Sequence, residues 1–416
     1  MGGDFAIFLL FLFVLAVIAR QNFVFTLLYF FAGAYILGGW WSKNSIKGVS
    51  IKRKFNSRVF LNEEVPVELE ISNKSWLPII YMRINESLPA QLVGHTQFKQ
   101  VFSLRAHSKV GYSYLMHARK RGFYKVGPFY ATSGDLLGLF GERRIEGLAD
   151  YLIVYQKIIS LSSFSLPSRS PQGIMRHTQP IFEDPTRVLS KRDYVVGDSL
   201  RRVDWKTTAS TGRLQVKQFE PSIALETVIF LNLNVNEYDL KQFYDNVELA
   251  IVVAASVANW VTGEKQSVGL ITNGLDALGI DDDRNNDQID SVMMDQPGRA
   301  LLPTAKPIPS RKGRAHLMRI LDVLARVVYA NTVSMVELFK KEYNNLPWGT
   351  TVILITGLLD EVLFDQLFQG RRAGLNVVII HVGNMIPSLE LRQRAHHFKF
   401  PLYLIRKEQD LDVWRK

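Results

Sequence analysis

The chain has 416 residues, a mass of 47.4 kDa and a net charge of +11. Two or three domains are expected, because domains usually have roughly 100–200 residues. The hydrophobic fraction of 47% and the charged fraction of 21% are near globular averages, which excludes collagen-like and wholly disordered chains. The sequence contains no cysteine, which excludes thiolate catalysis, cysteine-ligated zinc, iron–sulfur clusters and disulfides.

The excess positive charge lies in residues 43–220, whereas residues 221–416 carry slightly more acids than bases. A C-terminal domain that bound a polyanion would show the opposite distribution. The middle region also lacks the sequence pattern of a long basic helix or of an aromatic stacking motif. Nucleic-acid binding is therefore not expected.

Two apolar runs stand at the N-terminus. The run at residues 23–41 carries no charge, and at 1.5 Å per residue it is about 28 Å long, against about 30 Å for the hydrocarbon core of a bilayer. The run Phe5–Ala19 is shorter, about 22 Å. Together they predict a transmembrane helical hairpin at residues 1–42. Two alternatives stay open: a single span with a re-entrant or interfacial first run, and a cleaved signal peptide, which fits less well because Asp4 and no base precede the first run.

Basic residues follow the second run directly. Six of them precede the first acid, Glu63, namely Lys43, Lys47, Lys52, Arg53, Lys54 and Arg58. Bases this close to a span are retained on the cytoplasmic side. We therefore expect a multi-pass protein of the inner membrane whose soluble domains are cytoplasmic. Trp40 and Trp41 stand where an interfacial aromatic belt is expected.

Residues 43–160 contain short stretches rich in β-branched and aromatic residues, separated by polar residues, Pro or Gly. This pattern predicts an antiparallel β-sandwich. In residues 65–71 apolar side chains alternate with Glu68 and Glu70, which places the two carboxylates on a solvent-exposed face. The basic cluster at residues 119–121 could hold a phosphate, but a solvated turn or a contact with lipid headgroups is the simpler interpretation.

Residues 161–220 are predicted to form a Ser- and Pro-rich linker followed by a segment of interleaved opposite charges, the signature segment (residues 191–220). Asp198 is expected to act as a helix N-cap for residues 199–205, which would form a short helix or a turn, and a strand is expected over residues 214–219. The mixed charges fit two roles. They could form a surface that engages a partner or an anionic ligand, or a structural ion-pair network that fixes the connection to the next domain.

The signature segment contains the run R-D-Y-x-x-G-D-x-x-R-x-V-D-W-K-x-T-A, whose members are Arg192, Asp193, Tyr194, Gly197, Asp198, Arg201, Val203, Asp204, Trp205, Lys206, Thr208 and Ala209. Upstream stand K-R-G-F-Y-K-V-G-P at residues 120–128 and S-G-D-L-L-G-L-F at residues 133–140. These motifs resemble those of the bacterial "domain of unknown function 58" family, and the resemblance extends over essentially the whole chain. Ser210 stands where the family pattern usually has Arg, which removes one donor from the cluster.

From residue 221 onward, continuous apolar strands alternate with helices. This predicts a mostly parallel, doubly wound α/β domain over residues 221–416. Open sheets of this kind bind ligands at the carboxyl ends of their strands, so the end of the first strand, at Asn232, Asn234 and Asn236, is the predicted site. The resemblance implies a von Willebrand factor A-like domain with a D-x-S-x-S metal site at these positions. Three amides supply no carboxylate for Mg²⁺, so we expect a degenerate site without metal.

Two further acidic groups offer little for a metal ion. Asp360 follows another strand end but lies too far along the chain to replace the missing carboxylate. The run at residues 281–290 alternates oxygen-bearing side chains as a calcium loop does. However, Asn286 replaces the turn glycine and Val292 replaces the final carboxylate, so an acidic insertion is the simpler interpretation.

The sequence has no phosphate-binding loop, dinucleotide fingerprint or H-E-x-x-H motif, and no cofactor is expected. It therefore predicts a membrane-anchored, non-enzymatic adaptor, and the resemblance implies a MoxR-type AAA+ ATPase as its partner. The expected contact surfaces are residues 192–206 and the strand-end loop at residues 232–236. The alternative is an envelope-associated hydrolase or transferase in which Asp198 and Asp204 act as acid and base and Arg201 binds an anion.

Overall fold

The computed structural model describes residues 2–92, 99–134, 140, 142–162, 183–195, 198–221, 226–277 and 304–414. Residues 163–182 of the predicted linker, the acidic run at residues 281–290 and Gly197 lie outside the described residues. The chain divides into two compact units. The first comprises Met1–Lys157, Asp276–Gln296 and Leu321–Val327, and the second comprises Ile158–Leu275, Pro297–Ile320 and Val328–Lys416.

The first unit begins with two helices, α1 (Gly2–Ala19) and α2 (Asn22–Ser45). The rings of Phe5 and Tyr35 stack with centroids 5.6 Å apart. The start of α1 therefore lies beside the second half of α2, and the helices form an antiparallel hairpin. Many of their apolar side chains are exposed, including Leu10, Phe11, Phe30 and Ile36.

In the described part of the chain, two helices are long and apolar enough to cross a membrane, Asn22–Gly48 and Phe243–Gly263. Asn22–Gly48 has the necessary length and composition, and none of its apolar window is buried. Phe5–Ala19 is equally apolar but shorter. Phe243–Gly263 passes the same test, yet most of it is buried inside the second unit, as expected of a core helix. The two predicted N-terminal runs are thus helical and are candidates for association with a membrane.

Ten strands are described in the first unit: β1 (Val49–Lys54), β2 (Arg58–Phe60), β3 (Glu64–Asn73), β4 (Ile79–Glu86), β5 (Lys99–Leu104), β6 (Lys109–His117), β7 (Gly122–Val126), β8 (Phe129–Ser133), β9 (Arg143–Glu146) and β10 (Asp150–Tyr155). They form three sheets, ordered β1-β3-β6, β5-β4-β8-β9 and β2-β10-β7. The described strand pairs are antiparallel except for β10 and β2, which are parallel.

The alternation predicted for residues 65–71 is confirmed in β3. Every second side chain is at most 1% exposed, namely those of Val65, Val67, Leu69 and Ile71. Glu68, between them, is exposed. A strand directs successive side chains to opposite faces, so this period of two is sufficient to bury one face of the sheet.

Arg53 in β1 is buried, although the sequence placed it among the surface bases that follow the second apolar run. Its Nη2 lies 2.5 Å from Oε1 of Glu86 and its Nη1 lies 2.9 Å from Oδ2 of Asp150. The Arg53 and Glu86 side chains are 1% and 0% exposed. Burial raises the pKa of the Glu86 carboxyl, and the Arg53 charge opposes that rise. Arg53 therefore stabilises the first unit and does not contribute to the basic surface.

The second unit contains a six-stranded sheet in the order β16-β14-β13-β18-β19-β20. Its strands are β13 (Glu226–Leu231), β14 (Ser267–Thr272), β16 (Ile308–Arg311), β18 (Thr351–Thr356), β19 (Asn376–Val382) and β20 (Leu402–Ile405). Two short strands form a separate pair, β15 (Leu275–Asp276) and β17 (Val327–Val328). Five strands of the six-stranded sheet are parallel, and the edge strand β16 is antiparallel to β14.

Helices cover both faces of this sheet, which explains its continuous apolar strands. The helices of the α/β region are α4 (Phe243–Gly263), α5 (Arg314–Arg326), α6 (Met335–Glu342), α7 (Glu361–Arg372) and α8 (Leu389–His397). Helix α4 packs on β13, β14, β18 and β19. On the other face, α6, α7 and α8 contribute Phe339, Phe364 and Leu391 to a cluster with Phe230 and Leu354.

Helix α6 was not predicted from the sequence. Ser334 caps α6 by accepting a hydrogen bond from the Glu337 backbone N–H at 3.3 Å. The S-x-x-E spacing of Ser334 and Glu337 is a recognised start signal for a helix. The helix has only 8 residues, so its apolar periodicity alone was too short to reveal it.

Arg121 of the predicted basic cluster binds the end of a helix. Its Nη1 donates hydrogen bonds to the carbonyl oxygens of Leu324 at 3.1 Å and Val327 at 2.9 Å, which belong to the first unit as Arg121 does. A cation at a helix C-terminus satisfies carbonyl groups that have no partner within the helix and offsets the helix dipole. Arg121 therefore belongs neither to a phosphate site nor to a solvated turn.

Arg53→Ala tests whether the buried ion pair stabilises the first unit. Removing one partner leaves the Glu86 carboxylate buried and uncompensated, so the free energy of unfolding should fall by about 3–5 kcal/mol. Hydrogen exchange of the β1 and β3 amides measures this unit separately from the second. Lys54→Ala, on the exposed face of the same strand, is the matched control and should change the value by less than about 0.5 kcal/mol. Equal protection in both variants would contradict the assignment.

Candidate functional site

The carboxyl ends of β13 and β18 meet at the centre of the six-stranded sheet. The chain leaves β13 for β14 on one side, and β18 lies on the other. Loops therefore diverge at this point, which is where open α/β sheets place their ligand sites. The predicted residues Asn232, Asn234 and Asn236 begin directly after β13.

The side chain of Asn232 is fully enclosed and fully hydrogen-bonded. Its Nδ2 donates to Oε2 of Glu237 at 2.5 Å and to Oγ1 of Thr356 at 2.9 Å. Its Oδ1 accepts from the backbone N–H of Asn234 at 3.0 Å and from Nδ2 of Asn273 at 3.0 Å. A backbone N–H can only donate, so the contact with Asn234 fixes which end of the amide is the oxygen. Asn232 thereby joins β13 to the ends of β14 and β18.

Asn234 and Asn236 shape the loop that follows. Asn234 Oδ1 accepts from the backbone N–H of Asn236 at 3.1 Å, and its Nδ2 donates to the Thr332 carbonyl at 2.9 Å. Asn236 Nδ2 donates to Oδ1 of Asn331 at 3.0 Å. The three predicted positions are thus linked along the chain, but their side-chain oxygens do not converge on one point.

Glu237 and Asn273 belong to the same network, and sequence reasoning missed both. The Glu237 carboxylate also accepts the backbone N–H of Met335 through Oε1 at 3.1 Å. Burial raises the pKa of Glu237, and the nearby charges of Asp360 and Glu337 raise it further. An acid within a few residues of a buried strand end, directly after the three asparagines, was the available signal for Glu237. Asn273 stands in the equivalent place after β14.

The residues present do not fit the magnesium site that a von Willebrand factor A-like domain implies. Mg²⁺ requires octahedral oxygen ligands and usually carboxylates. At this site Asn232 directs N–H groups toward Thr356 and Glu237, and its oxygen already accepts two hydrogen bonds. The Asp360 carboxylate caps α7 through the Leu363 backbone N–H at 2.8 Å. Within the described ranges, no group of three or more His, Asp or Glu side chains could hold a metal ion.

The signature segment forms a hairpin of β11 (Glu183–Asp193) and β12 (Gln215–Pro221), with a 3₁₀ turn at Leu200–Arg202 and the helix α3 (Trp205–Thr211) between the strands. The prediction that Asp198 caps a helix is wrong. Asp204 caps α3 by accepting the Lys206 and Thr207 backbone N–H groups at 3.2 and 3.3 Å. Asp198 does not stand at the start of α3 and has a different set of contacts.

Asp198 and Asp204 of this segment are committed to internal ion pairs. Asp198 accepts two hydrogen bonds from the Arg192 guanidinium, each 2.7 Å long, and this pairing lowers the pKa of the carboxyl. Asp204 Oδ2 lies 2.7 Å from Nζ of Lys191, and the hydrogen bond from Lys191 lowers the pKa of Asp204 to about 2. Neither carboxyl carries a proton at neutral pH, so neither can act there as a general acid.

Apolar side chains of the same segment face solvent. Trp205 is 67% exposed and Leu200 is 63% exposed, and Val195 and Leu214 are also exposed. The side chain of Lys206, beside Trp205, is exposed as well. Tyr194 is half-buried, and its backbone N–H donates to the Leu214 carbonyl at 2.9 Å.

The side chain of Arg201 and residue Gly197 lie outside the described residues. The predicted binding of an anion by Arg201 therefore stays a prediction. His381 lies at the end of β19, beside the carboxyl ends of the other parallel strands. It is 1% exposed, and burial lowers its pKa to about 4. It is therefore neutral at physiological pH and packs in the core.

Residues 190–280 match the family model described as "Protein of unknown function DUF58". The matched range holds the whole signature segment and the strand-end residues that follow β13 and β14. A Bacillus subtilis (strain 168) protein described as "Uncharacterized protein YeaD" is 25% identical over 224 residues, which cover 52% of this chain and 54% of that protein. The chain thus spans about half the length of this curated relative.

Solved structures resemble parts of the chain only distantly. The CARDB domain of a Pyrococcus furiosus protein covers 26% of this chain and 94% of its own length, at 13% identity and a TM-score of 0.21. A cohesin module from a Clostridium perfringens family 33 glycoside hydrolase covers 26% of this chain and 98% of its own length, at 10% identity and a TM-score of 0.21. Likenesses at this level do not identify a function.

Asp204→Asn tests the Lys191–Asp204 pair through its pH dependence. The folded-state pKa of Asp204, about 2, lies below the ordinary value of 3.8. The pair therefore contributes stability above about pH 4, and that contribution is lost as the pH falls toward 2. Acid titrations followed by fluorescence should show a stability difference between wild type and variant that disappears over this range. A difference that does not change with pH would assign the effect of the substitution to the helix cap and not to the charge.

Glu237→Gln tests a carboxyl whose pKa is shifted in the opposite direction from that of Asp204, so the expected pH dependence is reversed. The folded-state pKa of Glu237 is raised above its ordinary value of 4.5. The stability that goes with its protonated form is therefore complete below that value and is lost as the pH rises through the folded-state pKa. Urea unfolding between about pH 4 and pH 8 should show that wild type loses stability relative to Glu237→Gln as pH rises, by about 1.4 kcal/mol for each unit of pKa difference. Parallel pH profiles for the two proteins would show that Glu237 does not titrate with a raised pKa.

Proposed function

We propose that this protein is a membrane-anchored, non-enzymatic interaction protein that works with a MoxR-type AAA+ ATPase. In this proposal the α1–α2 hairpin crosses the inner membrane and the rest of the chain lies in the cytoplasm. The first unit is a β-sandwich, and the second is a von Willebrand factor A-like domain whose strand-end site has lost its metal ligands. The identity of the partner rests on the family resemblance of the signature segment.

The observation that carries the proposal is the combination of internal pairing and exposure in the signature segment. Asp198 and Asp204 are neutralised by Arg192 and Lys191. Trp205 and Leu200 meanwhile remain exposed. Aromatic anchors of this kind are enriched at the centres of protein interfaces. A segment that satisfies its own charges and exposes a tryptophan is suited to contact a protein surface.

The von Willebrand factor A-like assignment is supported by strand order. Numbered within the sheet, β13, β14, β16, β18, β19 and β20 lie in the order 3-2-1-4-5-6, the doubly wound arrangement, with an antiparallel strand at one edge. The closed network around Asn232 supports partner binding through shape and hydrogen bonds, without a bridging cation.

The membrane assignment is supported by the surface of the hairpin. The apolar window within Asn22–Gly48 is not buried at all, and exposed side chains such as Leu10 and Phe30 would leave a large apolar surface in water. Lys43, Lys47, Lys52 and Lys54 follow the second helix and favour the cytoplasmic side for the domains that come after it. Arg53 no longer contributes to this argument, because it is buried.

The contact surface is tested with the full chain in detergent micelles and a separately purified MoxR-type ATPase from the same organism. Leu200→Ala with Trp205→Ala should weaken binding at least tenfold, since interface anchors contribute about 2 kcal/mol or more each. Leu240→Ala with Val362→Ala removes two other exposed apolar side chains of the second unit and serves as the control. If the ATPase binds this protein without nucleotide, the binding should persist when EDTA removes divalent cations. Equal binding by both double variants would reject the signature segment as the contact surface.

Asp204→Asn separates this proposal from the hydrolase or transferase alternative. Asn is also a good N-cap, so α3 should remain folded. An enzyme that used Asp204 as its base would lose turnover, whereas an adaptor would change only in complex formation. Turnover of an envelope substrate that is abolished by this substitution would overturn the non-enzymatic assignment.

A further inference from the structure

The outer face of the β1-β3-β6 sheet carries a basic pocket that the proposed function does not use. Its volume is about 260 Å³, and it is lined by Ser50, Lys52, Glu70, Ser72, Asn73, Lys74, His107, Ser108 and Lys109. Three of these residues are lysines and one is an acid. The rest of the lining is rich in hydroxyl groups, which can donate hydrogen bonds to an anion.

Strand register brings these side chains together. Ser50 pairs with Ser72, and Ser72 pairs in turn with Lys109 on the far strand. Lys52 pairs with Glu70, and Glu70 pairs with Gly111. A Cβ at Gly111 would have no neighbour within 4 Å, so this glycine leaves open space beside the carboxylate on the same face of the sheet.

The charge of the pocket is positive because its one acid is already paired. The Glu70 carboxylate lies 3.0 Å from Nζ of Lys109. The hydrogen bond from Lys109 lowers the pKa of Glu70, and the charges of Lys54 and Lys52 lower it further. Within the part of the chain that the structure describes, Lys52 and Lys74 form no ion pair. Two ammonium groups therefore remain available to an anion.

The pocket is fixed to the end of α2. Strand β1 begins at Val49, just after α2 ends at Ser45. The Lys74 backbone N–H donates to the Gly48 carbonyl at 2.8 Å, and Gly48 packs so closely on Ser75 that a Cβ there would lie 2.6 Å from the Ser75 Cβ. The pocket lysines are thus held at the point where the apolar helix meets the soluble sheet.

Aromatic side chains mark the same level of the molecule. The rings of Trp40, near the end of α2, and Trp76, two residues after Lys74, have centroids 5.9 Å apart. Both side chains are exposed. Tryptophan is enriched at the depth of lipid headgroups, and the headgroup regions lie directly outside the hydrocarbon core that an apolar helix spans.

We propose that this pocket binds the phosphate of an anionic phospholipid headgroup in the leaflet at the C-terminal end of α2. Lys52 and Lys74 supply point charges for the phosphate oxygens, and the hydroxyl of Ser50 can bind the phosphate or the headgroup alcohol. The inference rests on the proposed membrane anchoring. It adds a lipid ligand that would hold the first unit against the bilayer surface.

The test uses the full chain in nonionic detergent and isothermal titration with three probes: soluble dihexanoyl phosphatidylglycerol, dihexanoyl phosphatidylcholine and inorganic phosphate. Lys52→Glu with Lys74→Glu reverses the two available charges. Lys99→Glu with Arg143→Glu makes the same charge change at two exposed residues of β5 and β9 and serves as the control. Wild type and control should bind phosphatidylglycerol at least tenfold more tightly than phosphatidylcholine, and the pocket variant should lose that preference.

Each other outcome rejects the inference. Equal affinity of all three proteins for phosphatidylglycerol would mean that binding occurs outside the pocket. Inorganic phosphate binding as tightly as the lipid would assign the pocket to free phosphate. Carbonate extraction of cell membranes tests anchoring separately. A chain that stays in the membrane but shows no lipid preference refutes the pocket alone, whereas a chain released by carbonate refutes the anchoring on which the inference depends.

Discussion

The amide of Asn232 is the interaction on which the centre of the second unit depends. It holds the end of β13 to Thr356 at the end of β18 and to Asn273 after β14, and it supplies a donor to the partly buried Glu237 carboxylate. A carboxylate at position 232 would place two negative charges within hydrogen-bonding distance of each other, away from most of the solvent. That arrangement needs a cation or a proton to be stable. With an amide at position 232, Glu237 can lie there partly buried, with two N–H donors as its partners.

Carboxylates in the signature segment and in the first unit are also bound by donor groups of the protein itself. Asp198, Asp204 and Glu86 are each held by a specific base, Arg192, Lys191 and Arg53 respectively. Because these three carboxylates form ion pairs within the protein, they are not available to bind a ligand. The exposed apolar side chains Trp205 and Leu200 are the ones that the proposed protein contact uses. Lys52 and Lys74, which form no ion pair with any residue that the structure describes, are the ones that the proposed lipid contact uses.

Local patterns in the sequence predicted local structure well. The alternation in β3, the apolar strands of the α/β region and the two N-terminal helices are each set by residues that are neighbours along the chain. The location of the strand-end site after β13 also follows from one strand and its successor. These features are encoded within a few residues of where they appear, which is why periodicity and turn chemistry were sufficient.

The missed features are contacts between distant parts of the chain. Asn273 meets Asn232 from 41 residues away, and Arg53 reaches Asp150 from 97 residues away. Counting bases along the sequence cannot distinguish Arg53, which is buried, from Lys52 and Lys54, which are not. The helix cap was misplaced for a related reason. Asp198 and Asp204 are both reasonable N-caps locally. Asp198 binds Arg192 and the Val195 backbone N–H, whereas Asp204 caps α3 and also binds Lys191, and both bases lie on β11.

The end of α2 and the sheet that follows it are mechanically coupled within the first unit. Arg53 must face Glu86 and Asp150 across the interior, so β1 cannot slip by one residue without directing that guanidinium to the opposite face. Such a slip would leave a buried carboxylate without its partner and would also move Lys52 off the outer face. The Gly48–Lys74 hydrogen bond then fixes the start of the strand to the β3–β4 turn. Because the register of β1 is set from the interior, the position of the outward lysines relative to the end of α2 is set by the same ion pair.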